Sequence, residues 1–351
     1  MATALWWTIR FLLALFLFVG ALQLMKTGAS DLDVFQHRGL LVRNAGSTLG
    51  LGWVGALFVL SGSPVAASAL TLVAAGNITE TQGFTMLTGS RLGAAFVVLV
   101  VAVIYAFKRG SGERMKPVST AVMALTTTAA VYLPSAVLGL MLLRWGPFHA
   151  IELQFPNQFS DLIDIVYGGL LARAEELPAA VVFLGGLGIL LLSFKLLDGV
   201  MPQLDDSSVS SSRLSWLRRK WPMFALGCFV ALVTMSVSVA LTVLVPLVTK
   251  GYAKREDILP YIMGANITTL GDTFLAALAV NSAAAGRIVL AQVIATTIIS
   301  FVLLTFFYPQ MKRAVWRFQR MILRSTPRLA AFTAALFLVP LTVIGVSSLA
   351  G

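Results

Sequence analysis

The segment YIMGANITTLGD, residues 261–272, sets Asn266, Thr268, Thr269 and Asp272 inside an otherwise oily stretch of chain. Polar atoms left bare in hydrocarbon are costly, so something must engage them. Amide, hydroxyl and carboxylate oxygens in that pattern suit a buried substrate and its coupling cation. Arg91, in LTGSRLG, is the second charge set deep in an apolar run. Each such charge costs about 2.5–3.5 kcal/mol at a helix centre, which predicts that both face the protein interior. Two roles are open to each. Asp272 can ligate sodium or a proton, or serve as a structural partner. Arg91 can attract an anion with its planar fork or neutralise Asp272 in a buried pair.

The elements that must position these residues are membrane helices. Of 351 residues, 58% are hydrophobic and 12% charged, and the mean hydropathy is +0.88. Soluble domains carry about 25% charged residues. Spanning helices are predicted near 7–28, 84–107, 118–143, 178–200, 258–281, 286–309 and 329–350, each near the length that crosses about 30 Å of hydrocarbon. No ten-residue alternation suggests a barrel. The N-terminal apolar run is longer than a signal peptide's and reads as a retained helix.

Two apolar segments, 46–75 and 223–250, exceed one crossing and carry small polar clusters at their middles, SGSP and SVSV. Pro64 interrupts the first. Both are predicted to be re-entrant helical hairpins. With neither changing sides, the stretches 108–116, 213–220, 250–257 and 312–328 fall on one face and gather 17 of the chain's 26 lysines and arginines. The positive-inside rule then puts that face and the N-terminus in the cytoplasm. The net charge of +11 is assigned to this asymmetry rather than to nucleic acid. The basic, aromatic-interleaved stretch 310–328 suits an anionic leaflet.

A shift of 175 residues brings Ser61 and Ser63 onto Ser236 and Ser238, Gly76 onto Gly251 and Gly89 onto Gly264. The order helix, hairpin, helix, helix occurs twice. Three crossings per unit would insert the second copy upside down, a recurring transporter plan. The predicted architecture is all-α and polytopic. Residues 1–143 form a first repeat, 144–177 an extracytoplasmic loop, 178–309 a second repeat, and 310–351 a basic amphipathic segment with a last spanning helix. The serines at 61, 63, 236 and 238 can alternatively be small residues that let helices approach closely.

At LSGS (60–63), GSRLG (89–93), MSVS (235–238) and GANITT (264–269) the sequence resembles the sodium/phosphate cotransporter family, over most of 11–100 and 183–300. The resemblance implies sodium-coupled transport of phosphate or a related small anion, in a bacterial inner membrane. It implies an anion cradled by Ser61, Gly62 and Ser63 with Ser236, Val237 and Ser238, and sodium or phosphate contacts from Asn266, Thr268 and Thr269. Leu60 and Met235 stand where that family has glutamines, Gly62 and Val237 where it has serines, and Arg91 where it has an asparagine. The alternative is a degenerate member with a structural or regulatory membrane role.

An enzyme is not expected. Asp272 is the one carboxylate placed deep in the membrane, His37 and His149 fall in or near loops without ligand spacing, and no P-loop is present. Cys228 stands alone, which excludes a disulfide within the chain. No cofactor beyond the coupling sodium ion is expected. The partners expected are a small inorganic anion and membrane lipids, not nucleic acid; a homo-oligomer is left open.

Overall fold

The computed structural model describes residues 2–30, 42–107, 115–149, 157–198, 219–234 and 257–349, with 236, 240, 241, 243, 244, 248 and 253–255. The described residues are all-helical: α1 (Ala2–Ser30), α2 (Ala45–Val59), α3 (Ser63–Ala74), α4 (Glu80–Ala94), α5 (Phe96–Phe107), α6 (Met115–Arg144), α7 (Gly146–His149), α8 (Asn157–Ala174), α9 (Ala179–Asp198), α10 (Lys220–Thr234), α11 (Ile258–Thr268), α12 (Gly271–Val280), α13 (Ala283–Thr305), α14 (Tyr308–Leu323) and α15 (Thr326–Leu349). Seven helical stretches among them are long and apolar enough to cross a membrane. They lie close to the seven predicted segments, and the chain is an integral membrane protein. The segment 144–177, predicted as a loop, instead contains α7 and α8. Tyr167 of α8 is buried and its hydroxyl donates to Phe16 O at 2.8 Å, so α8 packs on α1.

The spanning stretches differ in depth within the bundle. Glu80–Ile104 and Ile258–Val280 bury 72% and 67% of their apolar windows, whereas Thr326–Leu349 buries 6%. The first two are therefore central and α15 is peripheral. Both central stretches are interrupted, α4 giving way to α5 at Ala95 and α11 to α12 at Thr269–Leu270. The apolar helices α2, α3 and α10 have 15, 12 and 15 residues, short of the roughly 20 a crossing needs.

Within 46–75 the chain breaks at Leu60–Gly62. Asn44 and Ser47 form a capping box at the start of α2. Leu60 ends that helix in the left-handed region at φ +56°, a conformation that costs a non-glycine residue about 1–2 kcal/mol. Ser63 already opens α3, with Pro64 in its first turn where the missing N–H costs nothing. At Gly62 a Cβ would stand 2.8 Å from Ser90 O, so the break rests directly on α4 beside Arg91.

Two pairs of helices approach at backbone distance. A Cβ on Gly52 of α2 would lie 2.0 Å from Met86 O of α4, and one on Gly89 would lie 2.0 Å from Leu49 O. Between α10 and α11 the same relation recurs, with Gly227 against Tyr261 O at 2.0 Å and Gly264 against Phe224 O at 2.2 Å. Small residues permit this contact because van der Waals packing, not water exclusion, holds helices together in lipid.

The buried apolar side chains form two clusters with a polar layer between them. One includes Leu70, Phe84, Leu87, Ala276 and Ile288, and the other Ala94, Met123, Phe224, Ile262 and Leu304. Between them along the helices lie buried Thr88–Arg91 of α4, Tyr132 of α6, Asn266, Thr269, Asp272 and Thr273 about the α11–α12 break, and Gln292 and Thr296 of α13, with Thr127 and Thr128 one turn before Tyr132. Substituting Gly89→Ala or Gly264→Ala is expected to lower the melting temperature of the purified protein, by overpacking worth about 1–3 kcal/mol. Gly345→Ala, which meets nothing within 4 Å, is the control and should leave the melt unchanged or slightly raised.

Candidate functional site

The polar layer centres on Arg91 and Asp272, 0% and 4% exposed. Arg91 projects from the last turn of α4, and Asp272 lies in the first turn of α12, where the helix dipole favours a negative charge. Arg91 Nη2 donates to Asp272 Oδ1 at 3.2 Å and to the Thr273 hydroxyl, which in turn donates to Asp272 Oδ1 at 2.8 Å. The second carboxylate oxygen accepts from the hydroxyl of Ser63, the residue that opens α3. Three helices thus meet on one carboxylate. The break before α3, the arginine of α4 and the break before α12 stand at one level.

Several polar atoms of this layer have no hydrogen-bond partner among the described residues. They are Arg91 Nε and Nη1, both amide atoms of Asn266, and the Thr128 hydroxyl. Asn266 and Thr128 are each 1% exposed. Unpaired buried donors of a charged group carry a full desolvation penalty. Tyr132 lies beside both groups: its hydroxyl donates to Asn266 O at 2.7 Å, the carbonyl that also accepts from the Thr269 hydroxyl at 3.5 Å, and it lies within electrostatic reach of Arg91 and Asp272. Beside this centre Thr88 donates to Gln292 Oε1 at 2.6 Å, and Gln292 donates to Thr296 at 3.0 Å, tying α4 to α13.

The structure therefore brings together Ser63, Arg91 and Asp272, with Tyr132 in the same layer bonded to the Asn266 carbonyl, which Thr269 also reaches. Gly62 lies at the same break, with Ser61 partly exposed beside it. The Thr268 hydroxyl donates to Cys228 O at 2.8 Å and Gly264 O at 3.4 Å, a contact that holds α11 to α10. Ser236 is buried, and its carbonyl accepts from Ala240 N at 3.0 Å. Val237 and Ser238 lie outside the described residues, as does His37. Sequence reasoning missed Tyr132, Thr128 and Thr273. The signal for the first two was the run LTTTAAVYLPS in a helix otherwise apolar.

The donor set is chemically one-sided. Among the described residues no three or more His, Cys, Asp or Glu gather as they would for a transition metal. What gathers is one guanidinium, one carboxylate, hydroxyls and an amide. Such a set can hold a small oxyanion and a monovalent cation. No family model, curated protein or solved structure matches the chain. Removing one member of the Arg91–Asp272 pair, as in Arg91→Leu or Asp272→Leu, is expected to cost about 3–5 kcal/mol, because it strands the other charge. The double variant should recover most of that loss in thermal unfolding of the purified protein; equal melts for single and double variants would deny the coupling.

Proposed function

We propose that the chain is a sodium-coupled secondary transporter of inorganic phosphate or a related small anion, working by alternating access around the mid-membrane polar layer. The observation that carries this reading is Arg91. It is a fully buried guanidinium with two nitrogens unpaired among the described residues, at the level where two helical breaks meet. A structural ion pair gains from having its spare donors satisfied. A binding site leaves them for its ligand.

In this reading 46–75 and 223–250 are re-entrant hairpins in two inverted repeats. The glycine contacts support it. At an offset of 175, Gly52 facing Met86 corresponds to Gly227 facing Tyr261, and Gly89 facing Leu49 corresponds to Gly264 facing Phe224. The interruption at Ala95 corresponds to that at Leu270. The same offset carries Arg91 onto Asn266, so two of the side chains with unpaired polar atoms occupy equivalent places. Shared positions of close approach are harder to obtain by chance than shared glycines, since both members of each contact must shift together.

The resemblance to sodium/phosphate cotransporters agrees with this plan. The basic loops assign the N-terminus to the cytoplasmic side, and the resemblance places the chain in a bacterial inner membrane. The exposed face of α14, with Lys312, Arg313, Trp316, Arg317 and Arg320 around a 370 Å³ groove, is assigned to anionic lipid headgroups. Leu60 and Met235, in place of the family's glutamines, favour the second reading, a member kept for a structural or regulatory task.

Uptake in proteoliposomes separates the two. Under an inward sodium gradient the protein should accumulate labelled phosphate. Arg91→Lys, which keeps the charge but loses the planar fork, should reduce uptake by roughly tenfold or more. No uptake of phosphate, arsenate or sulfate under either a sodium or a proton gradient would exclude transport.

A further inference from the structure

The geometry of the guanidinium constrains how an anion can reach it. Arginine grips an oxyanion best with two parallel N–H groups. Its two such edges are Nε with Nη2 and Nη1 with Nη2. Both run through Nη2. In this protein Nη2 is the committed nitrogen, donating to Asp272 Oδ1 and the Thr273 hydroxyl, while Nε and Nη1 have no partner among the described residues. An anion can approach the two open nitrogens, but it completes a two-pronged grip only by taking an Nη2 hydrogen from the Asp272 carboxylate or from the Thr273 hydroxyl that itself donates to that carboxylate.

We propose that the substrate anion and Asp272 are alternative partners of Arg91, so that anion binding releases Asp272 and obliges a monovalent cation to bind there. This rests on the anion-transport reading above. The carboxylate is 4% exposed, and losing Arg91 leaves it a bare buried charge. Nothing else among the described residues supplies the missing positive charge. α3 presents Ser63 to the carboxylate, and α6 presents Tyr132 to this layer. Lys26 of α1 is held at Val280 O, at the opposite end of α12, and Arg287 of α13 pairs with Glu80. The replacement must come from solution. Asp272 with the hydroxyl oxygens of Ser63 and Thr273 offers it a start of oxygen ligands.

The exchange accounts for coupling by charge alone. In the empty protein Arg91 and Asp272 neutralise each other. In the loaded protein a monovalent anion neutralises Arg91 and the cation neutralises Asp272. A half-loaded protein carries a net charge in the middle of the membrane, which the bilayer penalises. Only the empty and fully loaded forms cross between the two faces readily, as symport requires.

The test uses the full-length purified protein with inorganic phosphate and with sulfate, whose charge is constant across the mildly acidic to neutral range. The apparent Kd of the unaltered protein for either anion should fall about tenfold for each tenfold rise in sodium below saturation. Asp272→Asn should bind both anions with no sodium dependence, and Arg91→Gln should bind neither. A proton acting as the cation would show instead as a similar slope against pH for sulfate without sodium, absent in Asp272→Asn, and would support the same exchange. Anion binding by the unaltered protein that ignores both sodium and pH overturns the proposal, as does a cation dependence that persists in Asp272→Asn. Should Asp272→Asn fail to fold, the slopes of the unaltered protein decide. No anion binding at all removes the transport reading and the exchange together.

Discussion

A charge in hydrocarbon must be answered by another, and this requirement organises the centre of the molecule. Arg91 and Asp272 are separated by 181 residues in the chain, yet each is tolerable only beside the other. Their meeting fixes α4 against α12, and the Ser63 hydroxyl on the same carboxylate fixes the break before α3. Hydrophobic burial cannot do this work, since lipid is as apolar as the two clusters on either side of the polar layer. Van der Waals packing supports the helices, and the polar layer sets their register.

The approach of the helices carries the second constraint. Gly52 and Gly89 let α2 and α4 touch at backbone distance, and Gly227 and Gly264 do so for α10 and α11. A side chain at any of these positions would push the two helices of its pair apart. The precision of the polar layer therefore depends on residues without side chains, several of them remote from any charge. The left-handed Leu60 belongs to the same arrangement, since the turn it makes returns the chain to α4 at Gly62.

The spanning helices were legible because hydropathy over about twenty residues is a physical requirement of the bilayer. The interruption at Leu60–Gly62 was legible from SGSP for a similarly local reason, although Ser63 proved to open the following helix instead of lying outside it. Helix α8 was not legible. Asp161 and Asp164 gave that stretch the look of a solvated loop, and its burial of Tyr167 against α1 is a tertiary fact. Arg91 and Asp272 stood out as two lone deep charges, but whether they pair or hold ligands is a matter of geometry, absent from composition. Tyr132 and Thr128 were hidden for a different reason. A threonine hydroxyl on a membrane helix ordinarily bonds the carbonyl four residues back, as Thr127 does to Met123 O at 2.7 Å, and a tyrosine ring reads as apolar packing, so the run LTTTAAVYLPS is only a weak signal for either.

The outer helix α15 has a mechanical consequence. Its 24 residues lie along the 15-residue α2, where Gly50 would meet Pro340 O at 2.6 Å, and Arg43 and Asn44 donate to the carbonyls of Ser348 and Ser347. A full-length rod thus sets the depth at which this short helix floats. The equally short α10 shows the bilayer a bare flank of Phe229, Leu232 and Val233, 63%, 57% and 51% exposed. At about 1.5 Å per residue neither short helix matches the oily slab on its own. Stretching or thinning the surrounding lipid acts on the flank of α10 directly, whereas α2, bare at Phe58 near its C-terminal end, is also held in place by its outrigger.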